Sequence, residues 1–395
     1  MRQRWRVLGT AALGFMAAQG FGRFGFALIL PSMRDGLALT NGDMGLIAGA
    51  GLGAYLLTAA PAGAVAARFG RRWLVSAGLV LTAAGLAVTG AADGLGAALL
   101  GQCLAGLAAP LAVIPLLSAG PSWFPSVWRG RATGLVVAGG GVGILCTGFL
   151  APLLMSLGGA QGWRTAWWGL ASLIFAIAAV CAALLRDPPT VETSARGLGI
   201  QSVYRHTAVW RISLAFGLYG VSYINYGTFF AAQLTARGVA PTTSGQLWSL
   251  VGLFGISSGF VGGILADRIG PATALLVMFA GQATALAALA LGDSMSWFAA
   301  SAVLYGLSMW GFPSAVSKAC AEEVGPRLAT AALGLAGLMF GVGQAAGPAV
   351  GGWATDSLTT LWPGAALAPA LLFGSLAALA GMIVAQTIRR PARPH

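Results

Sequence analysis

One arginine inside an apolar run is the residue best placed to do chemistry in this sequence. Arg23 lies within the stretch 7–30, about seven residues before its end, and Gln19 stands one helical turn earlier on the same face. A charge at mid-depth in a bilayer costs roughly 2.5–3.5 kcal/mol on insertion scales, so it must face protein or a water-filled cavity. A guanidinium presents a planar fork of donors that suits a carboxylate. With no acid near it in sequence, an anionic group on a small solute is a fitting partner. The competing reading is that Arg23 snorkels to the headgroups or binds backbone carbonyls.

A second group is aromatic. Tyr219, Tyr223, Tyr226 and Phe230 recur at three- and four-residue spacing and form one helical stripe, with Asn225 beside it. Hydroxyls on an aromatic wall suit a small polar organic molecule; an interfacial belt or helix packing gives the same pattern. Tyr55, Tyr305, Trp310, Gln344 and Trp248 are weaker candidates for the same cavity.

Other chemistry is poorly supplied. The ten acidic residues, Asp35, Asp43, Asp93, Asp187, Glu192, Asp267, Asp293, Glu322, Glu323 and Asp356, all fall in expected loops or helix ends. Cys103, Cys146, Cys181 and Cys320 fit no metal or redox spacing and read as small packing residues. His206 and His395 are far apart. No metal, cofactor or catalytic nucleophile is expected, and the chain is not read as an enzyme.

The elements that must carry these residues are membrane helices. Of 395 residues, 57% are hydrophobic and 8% charged, with a mean hydropathy of +0.81. A soluble domain needs more charge than this. A spanning helix needs roughly 20 apolar residues. The apolar runs predict twelve spans, at 7–30, 45–67, 73–92, 95–118, 132–157, 165–185, 209–234, 247–266, 272–291, 296–317, 328–353 and 365–388. The first run follows basic residues but shows no convincing cleavage site, so it reads as a retained helix. The sixty glycines suit helices in close contact.

The net charge of +12 does not point to nucleic acid, because of where the charges sit. With the N-terminus inside, eighteen of the 22 basic residues fall in cytoplasmic segments, among them Arg2, Arg4, Arg6, Arg129, Arg131, Arg186 and Lys318. The outer segments hold Arg34, Arg164 and Arg237. The positive-inside rule then places both termini in the cytoplasm of a multi-pass inner-membrane protein. The expected partners are the lipid bilayer and a small-molecule substrate, with no nucleic acid, and the expected state is a monomer.

The two halves repeat at an offset near 200. Trp5-Arg6 matches Trp210-Arg211, and Phe21-Gly22-Arg23-Phe24 matches Tyr226-Gly227-Thr228-Phe229. Gly63 with Arg68-Phe69-Gly70 matches Gly263 with Arg268-Ile269-Gly270, and Gly134 and Gly143 match Gly334 and Gly343. The division that follows is 1–185 for one six-helix bundle, 186–208 for a cytoplasmic linker and 209–395 for the second. Internal repeats are the usual build of secondary transporters, with the solute bound near the midplane between them.

At this point the sequence resembles the major facilitator superfamily. That family's loop between helices 2 and 3 reads roughly G-x-L-A-D-R-x-G-R-K. Gly63, Val65, Ala66, Arg68, Gly70, Arg71 and Arg72 fit it, with Ala67 at the Asp position. The second copy, Gly263-Ile264-Leu265-Ala266-Asp267-Arg268-Ile269-Gly270, keeps the Asp. The resemblance implies an all-α fold of twelve helices in two pseudo-symmetric bundles, with these loops as conformational gates that latch one face. It also departs from relatives that couple to protons or expel cations, since Gln102 stands where an Arg often precedes Gly106 and no buried carboxylate is expected, and from the family's antiporter signature, since helix 5 has Thr147-Gly148 where Gly-Pro is expected, so antiport is not inferred from the resemblance. The leading expectation is a transporter of a small organic anion such as a carboxylate, by rocking of the halves. An exporter of drugs or hydrophobic metabolites is the alternative, and a non-transporting membrane sensor a remote one.

Overall fold

A computed structural model describes residues 2–187, 205–358 and 367–388. The expected linker thus lies mostly outside the described residues, as do Glu192, Arg196 and the basic tail from Arg389. Among the described residues there is helix and no strand. A helix pairs its backbone groups within one segment, as lipid requires. Ten of the described helices are long and apolar enough to cross a membrane.

In chain order the helices are α1 (Arg2–Phe15), α2 (Phe26–Leu37), α3 (Asn41–Phe69), α4 (Arg71–Gly90), α5 (Leu95–Ala119), α6 (Ser126–Leu157), α7 (Gly162–Leu184), α8 (Thr207–Ala236), α9 (Pro241–Ile269), α10 (Pro271–Leu291), α11 (Met295–Met309), α12 (Phe312–Leu358) and α13 (Ala368–Gln386). The joints are short and chemically marked. Thr40 caps α3 in a capping box with Asp43, in which Thr40 Oγ1 accepts from the Asp43 amide at 3.0 Å and Asp43 returns the bond at 2.9 Å. Gly70 and Gly270, the two copies of the loop glycine, separate α3 from α4 and α9 from α10 at φ +87° and +83°. A side chain is strained at that φ, which is why each loop copy ends on glycine.

Two expected spans are corrected. The run 7–30 is not one straight helix. Between α1 and α2 the chain widens into a π-helical turn at Met16–Phe21, where Gly22 N bonds to Ala17 O at 2.9 Å and Phe24 N to Gln19 O at 3.0 Å. Gly20 and Gly143 meet backbone to backbone here, and Thr147 Oγ1 donates to the Gly20 carbonyl at 3.1 Å. Close contact with α6 and a side-chain donor make the widened turn affordable at a place where a regular helix would lose its ladder. Likewise 296–317 is interrupted, since α11 ends at Met309 and α12 begins at Phe312; α12 then breaks at Gly325, whose φ is +74°, just ahead of the expected span 328–353, which is continuous helix.

Within the first half α4 packs on α5 and α7, and α3 on α5; within the second, α8 packs on α12 and α13, and α10 on α13. The halves meet along α3 with α12, α6 with α9, and α2 with α8. At one end these meetings are close. Gly45 faces the Pro348 carbonyl, Gly49 the Ala345 carbonyl, and Gly148 the Gly245 carbonyl, with no room for a Cβ. Ser249 Oγ donates to Leu145 O at 2.9 Å. Asp356 accepts from Asn41 Nδ2 at 2.9 Å and from Gly42 N at 2.6 Å, so a carboxylate of α12 sits on the N-terminus of α3.

The same helix faces part towards the other end, which carries Arg68, Arg71, Arg72, Arg268 and Lys318. The α3 face that holds Gly45 and Gly49 runs on at helical spacing to Gly63, where an added Cβ would meet nothing within 4 Å. The α9 face that holds Gly245 and Gly252 runs on to Phe260, which is 73% exposed, and to Gly263, also open. Gly134 of α6 and Gly334 of α12 are open too. The bundle is therefore shut at the end of Asn41 and Asp356 and spread at the basic end.

Candidate functional site

The π-helical turn sets the direction of Arg23. Its amide bonds to Gln19 O at 3.2 Å, and Phe24 N shares the same acceptor. The side chain turns into a cavity between α1–α2, α3, α5 and α8, whose walls include Ala48, Tyr55, Gln102, Ala105, Gly227 and Thr228. About 690 Å³ of this space is free of atoms, part of it open to solvent. Thr82 and Gln102 are occupied elsewhere: Thr82 Oγ1 donates to Gly78 O at 2.8 Å and Gln102 Nε2 to Thr89 Oγ1 at 3.2 Å.

Among the described residues the guanidinium has company but no counter-charge in contact. Its carbon lies 5.9 Å from each of the ring centroids of Phe24, Tyr55 and Tyr223. Cation–π attraction of this kind is worth about 0.5–2 kcal/mol. Nε and Nη2 are buried and have no hydrogen-bond partner among the described residues. Donors left so are costly unless something fills the place. Neither of these two nitrogens rests on a backbone carbonyl of the described residues. Described acidic residues sit in loops or terminal turns, as expected from sequence, and no group of His, Cys, Asp and Glu among the described residues could hold a metal ion.

The other expected residues divide. Gln19 is partly exposed in the π-helical turn. Tyr55 and Tyr223 stand around Arg23. Tyr219, Tyr226 and Tyr305 are at most 1% exposed and lie in the packing of the second half. Tyr219 Oη donates to the Met309 carbonyl and its ring stacks on Phe312. Tyr226 Oη pairs with Ser301 Oγ at 2.9 Å, Tyr305 Oη donates to the Tyr223 carbonyl at 2.8 Å, and the two rings stack 3.8 Å apart. Asn225 is wholly buried against Gly347 and Gly351, its Nδ2 donating to Val221 O at 2.9 Å. Trp310 rests on Gly140 across the halves. Gln344 and Trp248 are buried, each with an unpartnered nitrogen, and Trp248 packs on Phe24 and Phe230.

The loop residues show a substitution of parts. Where the first loop has Ala67 in place of an acid, Asp187 at the end of α7 takes the N-terminus of α4, accepting from Arg71 N at 2.8 Å and Arg72 N at 3.2 Å. Arg71 Nη1 donates to Ser122 Oγ at 3.2 Å, and Arg72 Nε to Ala182 O at 2.6 Å. Arg68 stacks over Phe69. In the second loop Asp267 pairs with Lys318 at 2.7 Å, and Lys318 also reaches Ala266 O at 3.1 Å. Arg268 is exposed.

A family model described as the uncharacterised MFS-type transporter YbfB matches residues 15–384. The chain belongs to the major facilitator superfamily. It is similar to monocarboxylate transporter 11 of Mus musculus, 29% identical over 350 residues that cover 83% of this chain and 76% of that protein. Monocarboxylate transporter 13 of Bos taurus is 26% identical over 89% of this chain and 83% of that protein. The match to solute carrier family 49 member A3 of Danio rerio, at 27% identity, spans only 44% of that protein. Among solved structures, the nucleoside transporter NupG superposes with a TM-score of 0.80 at 14% identity, over 98% of this chain and 99% of that one. A bacterial homologue of the human lysosomal transporter Spinster, in an inward-facing and occupied conformation, gives 0.77 at 16% identity, over 98% and 96%. These likenesses fix the fold: this superfamily member is a multi-pass helical transporter.

Sequence reasoning missed Asp187, Asp356, Gly227 and Thr228. The last two carried a signal, since Gly227-Thr228 is the repeat partner of Gly22-Arg23, and all four positions line one cavity. The two acids carried none, because their partners are backbone amides more than 100 positions away.

Proposed function

We propose that the protein carries a small organic monoanion, a carboxylate with a largely apolar body, across the inner membrane. The observation that carries this reading is the Arg23 guanidinium, facing the cavity with two buried donors unpaired. One cation matches one anionic group, and the Ala18, Ala27, Ala48, Leu52, Ala105 and Ala109 walls match an apolar remainder. The monocarboxylate transporters among the relatives agree with this class of solute.

Both termini are cytoplasmic in this reading, so the spread basic end opens inward. Transport is a rocking of residues 1–185 against 209–395 about the Arg23 cavity. The loops at Gly63–Arg72 and Gly263–Gly270 close the inner face when the Asn41–Asp356 end separates. The apolar walls also favour a second reading, an exporter of hydrophobic metabolites. Thermal stability of the purified full chain, measured against monocarboxylates, neutral hydrophobic compounds and cationic drugs, separates the two, because a bound ligand stabilises by mass action. Stabilisation by monocarboxylates that is lost in Arg23→Gln is the expected result. Stabilisation by neutral compounds alone, unchanged in that variant, rules out the anion site.

A further inference from the structure

Arg23 bears on the transport cycle as well as on the ligand. To pass from one open side to the other, the protein must seal the cavity on both. In the sealed cavity the guanidinium would be surrounded by Phe24, Tyr55, Tyr223 and small apolar residues. Desolvating a charge is expensive unless it is paired. The described chain has no acid in the interior of the spans to pair with it: Asp43 and Asp356 stand at the shut end, and Asp187, Asp267 and Glu322 at the basic end.

Resting on the anion reading above, we infer that the protein is an exchanger, which crosses when an anion neutralises Arg23 and is held back when the cavity is empty. Each crossing then carries one anion beside one fixed cation, so a full cycle swaps one anion for another and moves no net charge. A carboxylate that could discharge Arg23 on the empty return, as proton-coupled import needs, is not present beside it among the described residues, whose nearest ionisable groups are the phenols of Tyr55 and Tyr223. The aromatic cage acts in the same direction. It holds the cation in place without cancelling its charge, so the need for an anion persists in every state in which the rings stay around it.

The inference is tested without knowing the natural solute, by hydrogen–deuterium exchange on the full chain in lipid nanodiscs. The probe is the ligand-free protein in a dilute bis-tris propane buffer, which supplies no organic anion. The segments at the shut end, residues 41–49 and 345–356, report whether that end opens. Wild-type protein is expected to protect them strongly. Arg23→Gln, which removes the charge and keeps donors, is expected to exchange there at least tenfold faster, because the empty protein can now cross. Arg23→Met serves as a second neutral variant should the first not insert. Equal exchange in wild type and the variants overturns the inference and leaves the anion site standing. Loss of the anion site itself is read separately, as failure of every monocarboxylate to stabilise the wild type.

Discussion

The guanidinium carbon of Arg23, in the first half of the chain, lies 5.9 Å from the ring centroid of Tyr223, in the second. Two residues 200 positions apart thus meet across the joint between the halves. Any movement of one half against the other therefore changes the surroundings of the charge.

Arg23→Gln is expected to weaken binding of a monocarboxylate on the order of 100-fold. Removing one partner of a buried charged pair costs about 2–5 kcal/mol. Arg23→Lys keeps the charge but loses the planar fork, and should fall between the two. Thermal shift titrations on the three proteins give the comparison. Equal affinities in all three would remove Arg23 from the site.

The tyrosines separate by role. Tyr226→Phe removes the bond to Ser301 inside the second half and is expected to cost about 1 kcal/mol of stability, with ligand affinity held within about twofold. Tyr55→Leu removes one ring of the cage and should weaken anion binding several-fold, in line with about 0.5–2 kcal/mol for a cation–π contact. Melting curves with and without ligand distinguish the two effects.

Gly227 sets the room beside Arg23. A Cβ added there would meet only the edge of Trp248, at 3.9 Å. Gly227→Ala should therefore leave α8 intact and shorten the cavity. Acids with longer chains are expected to lose affinity before short ones, since one methylene in a fitted pocket is worth about 1–3 kcal/mol. A chain-length series measured on both proteins reads this as a shift in the preferred length.

The shut end depends on glycine. Gly45→Val would push its side chain into the Pro348 carbonyl. Such overpacking costs about 1–3 kcal/mol, and it falls on the shut state alone, so the variant should favour the state open at the Asn41 end. Faster hydrogen exchange at 345–356 is the expected sign, and unchanged protection there would refute it.

Asp187 is a helix cap in this structure. Asp187→Ala leaves the Arg71 and Arg72 amides without their carboxylate and should lower stability by about 0.5–2 kcal/mol. Thermal denaturation measures it, and an unchanged midpoint would show that the cap contributes nothing.

What the sequence decided by itself was the solvent and the element. Apolar runs of some twenty residues have one stable form in lipid, because that is a property of a short window of chain. The repeat added the pairing of Gly22-Arg23 with Gly227-Thr228. The sequence also marked Arg23, since one charge in an apolar run is conspicuous at any fold. It did not decide which tyrosines meet that charge. Tyr219, Tyr223 and Tyr226 share one stripe, yet Tyr223 alone turns its ring toward Arg23 within 6 Å while the others bond to Met309 and Ser301. That choice is made by the neighbouring helices, whose carbonyls and hydroxyls arrive from 75 to 90 positions away. The widened turn before Arg23 is also a tertiary matter. Glycines permit it, but the approach of Gly143 and the hydroxyl of Thr147 decide it. The caps by Asp187 and Asp356 are the same kind of fact, because a backbone amide carries no mark in the sequence of the acid that will find it.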